Sequence, residues 1–163
     1  MKSFLLQYAH YNRWANQRLL DFINANCNDE QVNREIVSSF SSIRKTMIHI
    51  WGAECVWLLR LQGESPTRWI WLEYEGDTRS LSNEILKNDA DWISFLENSS
   101  NDFFENELSY KTLDGTPYTT PVSGMIQHCM NHSTFHRGQL VTMLRQLGFA
   151  MLVQTDLIAF LRG

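Results

Sequence analysis

The segment Asn131-His132-Ser133-Thr134-Phe135-His136-Arg137-Gly138-Gln139 places two imidazoles four residues apart. On a helix that spacing sends both rings off one face, where they can share a metal ion. His128 extends the row one turn upstream. All three cannot hold one ion, because eight residues span about 12 Å of helix axis and imidazole nitrogens sit about 2 Å from a metal. The pair is either His128 with His132 or His132 with His136, and His132 belongs to both. A third ligand can come from His49, far upstream on another predicted helix. Taken alone, His49 reads as a core histidine bonded to a carbonyl; beside a paired H-x-x-x-H it reads as a ligand. Three histidines with open positions suit a catalytic ion better than a sealed structural one.

The elements that must position these rings are helices. Apolar residues recur at threes and fours from about Phe4 to Asn24, through Leu5, Tyr8, Tyr11, Trp14, Leu19, Phe22 and Ile23. Polar residues 24–33 then read as a connection. A second helix starts at Ser41 or Ser42, either a good cap, and runs to Gln62 before Gly63 stops it. On it His49 shares a face with Thr46, Ala53, Val56 and Trp57, small enough in part for a facing helix to come close. Residues Glu64 to Arg79 form a long connection whose Trp69 and Trp71 are candidates for lining a pocket. The third helix spans about Leu81 to Asn98. Asp114-Gly115 between β-favouring residues 108–112 and 118–120 predicts a small hairpin. Thr120-Pro121 reads as a cap with proline at the first helical position, opening a fourth helix to Leu147 before Gly148. Thr155 to Leu161 fits a short terminal helix. Four long amphipathic segments make one all-α, four-helix-bundle domain over residues 1–163, with metal ligands on facing helices.

Other residues near the motif have simpler readings. Gln139 lies a turn beyond His136 and rotated from it, so it bonds between helices rather than to metal. Arg137 reads as a structural ion pair and Cys129 as buried packing. Asn131 and Glu54 are candidates to orient an imidazole, and Glu54 is the best available acid or base. Trp14, Trp51 and Trp57 read as core.

Composition bounds the partners. At 163 residues, 44% apolar and 20% charged, the chain is an ordinary soluble domain, and its net charge of −4 with no basic stripe excludes a nucleic-acid footprint. No stretch is apolar for long enough to cross a membrane. Three unpaired cysteines and the lack of a signal-peptide pattern predict a cytoplasmic protein.

Asn131 to Gln139 resembles the signature of the DinB/YfiT-like superfamily. Met47-Ile48-His49-Ile50-Trp51-Gly52-Ala53-Glu54 with Trp57 is similar to that family's first histidine motif. Tyr11 to Asn16 resembles its opening helix, and Thr155 to Arg162 its C-terminal tail. Asp114-Gly115 falls where members carry a turn, so the likeness covers the whole chain in order. It implies an up-down-down-up bundle with a divalent metal, nickel or zinc, on His49, His132 and His136. His128 becomes a neighbour of the site. It implies a small-molecule substrate and a homodimer. Of three roles, the family's thiol-dependent transferases and isomerases favour activating a low-molecular-weight thiol for transfer to an electrophile. Hydrolysis by metal-bound hydroxide and non-catalytic, stress-response metal binding are the alternatives.

Overall fold

The structure, a computed structural model, describes the backbone of residues 1–163 and every side chain but that of Ile70. Helix α1 (Lys2–Asn26) buries Leu5, Ala9, Ala15, Leu19 and Ile23 along one stripe. In the connection after it, Asn28 and Gln31 form a reciprocal capping box that nucleates a one-turn helix α2 (Asp29–Asn33). Five residues carry no periodicity, so α2 falls inside the stretch expected from sequence as a connection. Helix α3 (Ile43–Leu61) is capped by the Ser42 hydroxyl, which accepts from Lys45 N, and Gly63 takes the left-handed conformation (φ +89°) that stops it.

The next helix, α4 (Thr78–Asn98), starts three residues earlier than its apolar pattern. Asp77 accepts from Ser80 N, and the first turn is wholly polar. Strands β1 (Glu107–Lys111) and β2 (Pro117–Pro121) pair antiparallel as the expected hairpin, with Gly115 at φ +86° in its turn. Pro121 ends β2 and is itself the N-cap of α5 (Val122–Gln146), with no side-chain cap, so Thr120 is a strand residue. A last short helix, α6 (Leu157–Arg162), follows.

Contacts fix the topology. Lys2 bonds the carbonyls of Glu97 and Ser99, while Asn24 bonds Ser82, so α1 and α4 are antiparallel. Thr46 meets Met143 and Trp57 meets His128, so α3 and α5 are antiparallel. Tyr8 donates to Asn131 and Arg137 to Asn16, so α1 and α5 run parallel. Cys55 meets Asn88 across a parallel α3 and α4. The order is up-down-down-up. Parallel neighbours α3 and α4 force residues 62–77 to travel back along the bundle, which is why that connection is long. On the way its 3-10 turn (Ile70–Glu73) sets Trp69 and Trp71 against α3.

Two apolar clusters fill the interior. One gathers around Ile23, Met47, Leu81 and Leu144, the other around Leu5, Trp92, Phe104 and Met125. Trp92 is the fully buried indole. Trp14, Trp51 and Trp57, read from sequence as core, are only half-buried: Trp51 and Trp57 pack against the margins of the clusters and Trp14 belongs to neither. Among the described residues no helix is long and apolar enough to cross a membrane.

Candidate metal centre

The antiparallel pairing of α3 and α5 brings His49 to His132 and His136. Nε2 of His132 lies 3.1 Å from Nε2 of His49 and 3.1 Å from Nε2 of His136. The ligand atoms of the three all fall within 4.8 Å of one another. One imidazole nitrogen offers either a proton or a lone pair, so His132 Nε2 can make only one hydrogen bond. The second close approach is left between like groups unless a cation sits among them. Ligands about 2.0–2.1 Å from a tetrahedral zinc stand roughly 3.3 Å apart, close to the spacings present. The cluster fits a divalent ion.

Hydrogen bonding at the far side of one ring sets its tautomer. Gln139 Oε1, which can only accept, lies 2.7 Å from His136 Nδ1, so that nitrogen carries the proton and Nε2 is bare for a metal. The same Gln139 donates through Nε2 to Ser39 Oγ at 2.9 Å, tying α5 to the connection before α3. Gln139 thus links α5 to another part of the bundle, as its sequence position suggests; its grip on an imidazole is a role expected instead of Asn131 and Glu54. Asn131 instead accepts from Tyr8. Glu54 is fully buried on another side of α3, where Oε1 accepts from Asn12 Nδ2 and Ser133 Oγ. Nδ1 of His132 is buried without a partner among the described residues.

Aromatic walls surround the rings. Phe40 stacks on His49 with centroids 4.0 Å apart, and Trp69 stacks near its other side at 5.7 Å and 19°. Gly52 permits this: a Cβ there would stand 3.2 Å from the Trp69 indole. Trp69 thus lines the site, whereas Trp71 is turned to a separate cavity of about 620 Å³ between α3 and α4, with Cys55 and Asn88. Phe40 went unremarked in sequence, since nothing periodic marks it. His128 is not in the cluster; its exposed ring lies 5.9 Å from that of His132 and packs edge-on to Trp57.

Desolvation keeps the cluster neutral. Burial, then the charge of His136, pulls His49 down to about 4. Burial and the neighbouring histidines pull His132 to about 3. His136 is lowered by burial, offset in part by Gln139. Neutral imidazoles are what a metal needs.

Arg137 corrects an expectation. Among the described residues it makes no ion pair within 4.0 Å but donates to the side-chain carbonyls of Asn12 and Asn16 and to the Thr134 hydroxyl. Those asparagines pass hydrogen bonds on to Asp89 and Glu54, forming a buried polar layer between the two apolar clusters. Desolvation and the charge of Glu54 raise Asp89 well above the usual carboxylate range. Cys129 is fully buried, with its thiol pushed up, and lies outside the histidine cluster.

Comparison with known proteins bears on this geometry. The model of the DinB family matches residues 1–162. Protein DinB of Bacillus subtilis (strain 168) is 27% identical over 157 residues, covering 92% of this chain and 90% of the relative. In fold, the chain is similar to a DinB-like protein from Bacillus cereus ATCC 10987 (TM-score 0.71, 20% identity, 88% and 91% of the two chains covered). It is also similar to YfiT from Bacillus subtilis (TM-score 0.69, 14% identity, 92% and 91% covered). YfiT is described as a probable metal-dependent hydrolase with an unusual four-helix bundle topology.

Proposed function

The chain belongs to the DinB family, and from that premise we propose that it is a metal-dependent enzyme that activates a small thiol for transfer to an electrophilic substrate. His49, His132 and His136 hold the ion through their Nε2 atoms. Nickel and zinc both suit imidazole ligands. A divalent ion there would lower the pKa of a thiol or a water and polarise a carbonyl.

The observation that carries the reading is that, among the described residues, no carboxylate joins the three histidines in the cluster. Glu54, the nearest acid in sequence, is spent on Asn12 and Ser133 within the buried layer. A thiol needs no such base once its pKa is lowered. The chain's own groups then orient the rings (Gln139), exclude water from one side (Phe40 and Trp69) and leave the side of His128 open to solvent.

A second reading, hydrolysis, is favoured by His128. Its ring borders His132 on the open side, and partial burial with the nearby Arg60 charge lowers its pKa, so it is a neutral base at pH 7. The description of YfiT points the same way for that protein. The two readings separate on nickel- or zinc-loaded protein assayed with chlorodinitrobenzene and with nitrophenyl acetate, with and without added thiol. Turnover that requires thiol and vanishes in His132→Ala supports transfer. Ester hydrolysis without thiol, lost in His128→Ala, rejects transfer in favour of hydrolysis.

A further inference from the structure

Arg60, in the last turn of α3, is a largely buried cation whose guanidinium has no hydrogen-bond acceptor in the protein among the described residues. Its residue is 6% exposed, and its Nε is buried without a partner. No side-chain N–H of Arg60 reaches a protein acceptor and no carboxylate comes within 4.0 Å, among the described residues; its terminal nitrogens, unlike Nε, keep contact with solvent. Three other guanidiniums that pack against the fold differ. Arg137 donates to three oxygens, Arg44 to the Tyr74 carbonyl and Arg18 to the Gln154 carbonyl. Arg60 is held by rings alone: its guanidinium carbon lies 4.6 Å from the Trp57 ring and 4.8 Å from that of Tyr110. Cation–π contact offsets part of the cost of burial. It leaves five forked donors free, in the arrangement that matches a carboxylate bidentately.

The position of that fork is as telling as its emptiness. Trp57, under Arg60, packs against His128, and His128 against His132. Arg60, Trp57, His128 and the ligand histidines therefore lie in file along the α3–α5 interface. The hairpin closes the far end by setting Tyr110 over Arg60 and against Trp57. From His49 to Arg60 is eleven residues, about 16 Å along the helix. From a central cysteine to a terminal carboxylate an extended tripeptide spans roughly 7 Å, and the imidazoles at one end and the long Arg60 side chain at the other reach inward.

We propose that Arg60 is a substrate-binding residue that anchors the carboxylate of an extended thiol, of about tripeptide length, whose sulfur lies at the histidine cluster. The thiol end rests on the function proposed above; the carboxylate end rests on Arg60 alone. Arg60 fixes which thiols are accepted, and Trp57 and Tyr110 hold its fork flat for a bidentate pair.

The test uses cobalt-loaded full-length protein and reads the thiolate-to-metal charge-transfer absorption. Glutathione serves as the carboxylated thiol and cysteamine as one without a carboxylate. Arg60→Met is expected to weaken glutathione at least tenfold, the scale of a lost charge-assisted hydrogen bond, and to leave cysteamine within twofold. Arg60→Lys, which keeps the charge and the stem but not the fork, should fall between. An equal loss for both thiols, or no loss for either, overturns the anchor. Near-UV circular dichroism checks folding, and if Arg60→Met does not fold, Arg60→Lys decides by the same ratio. If neither thiol gives the absorption on wild type, the thiol reading fails by itself. Calorimetry of S-methylglutathione with metal-free wild type and Arg60→Lys then judges the anchor, and absent or equal binding overturns it.

Discussion

Gln139 holds His136 and Ser39 together: its Oε1 meets His136 Nδ1 at 2.7 Å and its Nε2 donates to Ser39 Oγ at 2.9 Å. One side chain therefore fixes a tautomer and ties down the connection that carries Phe40 to His49. Groups in this position typically contribute 10- to 100-fold to metal affinity. Gln139→Leu is expected to weaken zinc binding by about that factor while leaving the helical circular dichroism unchanged. Competition against a chromophoric chelator measures it, and a loss below threefold would show that His136 orients itself.

The metal-free protein should stay folded, because neither apolar cluster depends on the histidines. Its stability should nonetheless respond to pH through them. His49 and His132 titrate near 4 and 3 in the fold, below their ordinary value of 6.5. Between those values the unfolded chain binds more protons, so stability falls as pH drops from about 6.5 and rises again with pH. Urea midpoints of metal-free wild type should decline between pH 7 and pH 4.5 more steeply than those of the His49→Gln/His132→Gln double variant. Parallel slopes would remove the histidines as the cause.

Behind the site, two buried carboxylates share one guanidinium. Asp89 and Glu54 reach Arg137 only through Asn12 and Asn16. Removing the cation leaves buried negative charge uncompensated, at a cost of about 3–5 kcal/mol. Arg137→Met should lose that much in denaturant unfolding. Asp89→Asn should lose far less, because burial already favours the uncharged form of Asp89. Comparable losses would mean that Asp89 is held ionised.

Sequence and structure part company where no period exists. The long helices announce themselves, since Leu5, Ala9, Ile23 and their like must recur at threes and fours to reach one core. The three histidines were separable from His128 only through family resemblance: either adjacent pair satisfies the spacing, and a packing partner decides. That partner is α3, whose antiparallel run against α5 sets His49 against both His132 and His136. The bond from Gln139 to the His136 ring is not legible from a helical position rotated from His136; a long amide reaches back. Phe40 and Ser39 sit in an irregular connection whose path depends on tertiary contacts. Nothing in the sequence marks Arg60; only the rings over it and the missing acceptor set it apart.

Gly52 is the position where backbone shape bears most directly on the metal centre. A Cβ there would stand 3.2 Å from three atoms of the Trp69 indole, so the ring must give by a few tenths of an ångström. Alanine in a helix interior gains about 0.8–1 kcal/mol over glycine, which opposes that local strain, so Gly52→Ala should leave global stability nearly unchanged. A larger side chain cannot be absorbed. Gly52→Leu should drive the indole from His49, on which it now stacks at 5.7 Å. In long-range nitrogen–proton NMR spectra of the imidazoles, the His49 ring signals of Gly52→Leu should move to where Trp69→Leu puts them. Those of His10, remote from this wall, should not move. If His49 keeps its wild-type signals, close approach at Gly52 is not what seats Trp69 on the ligand, and the long return connection alone must place it.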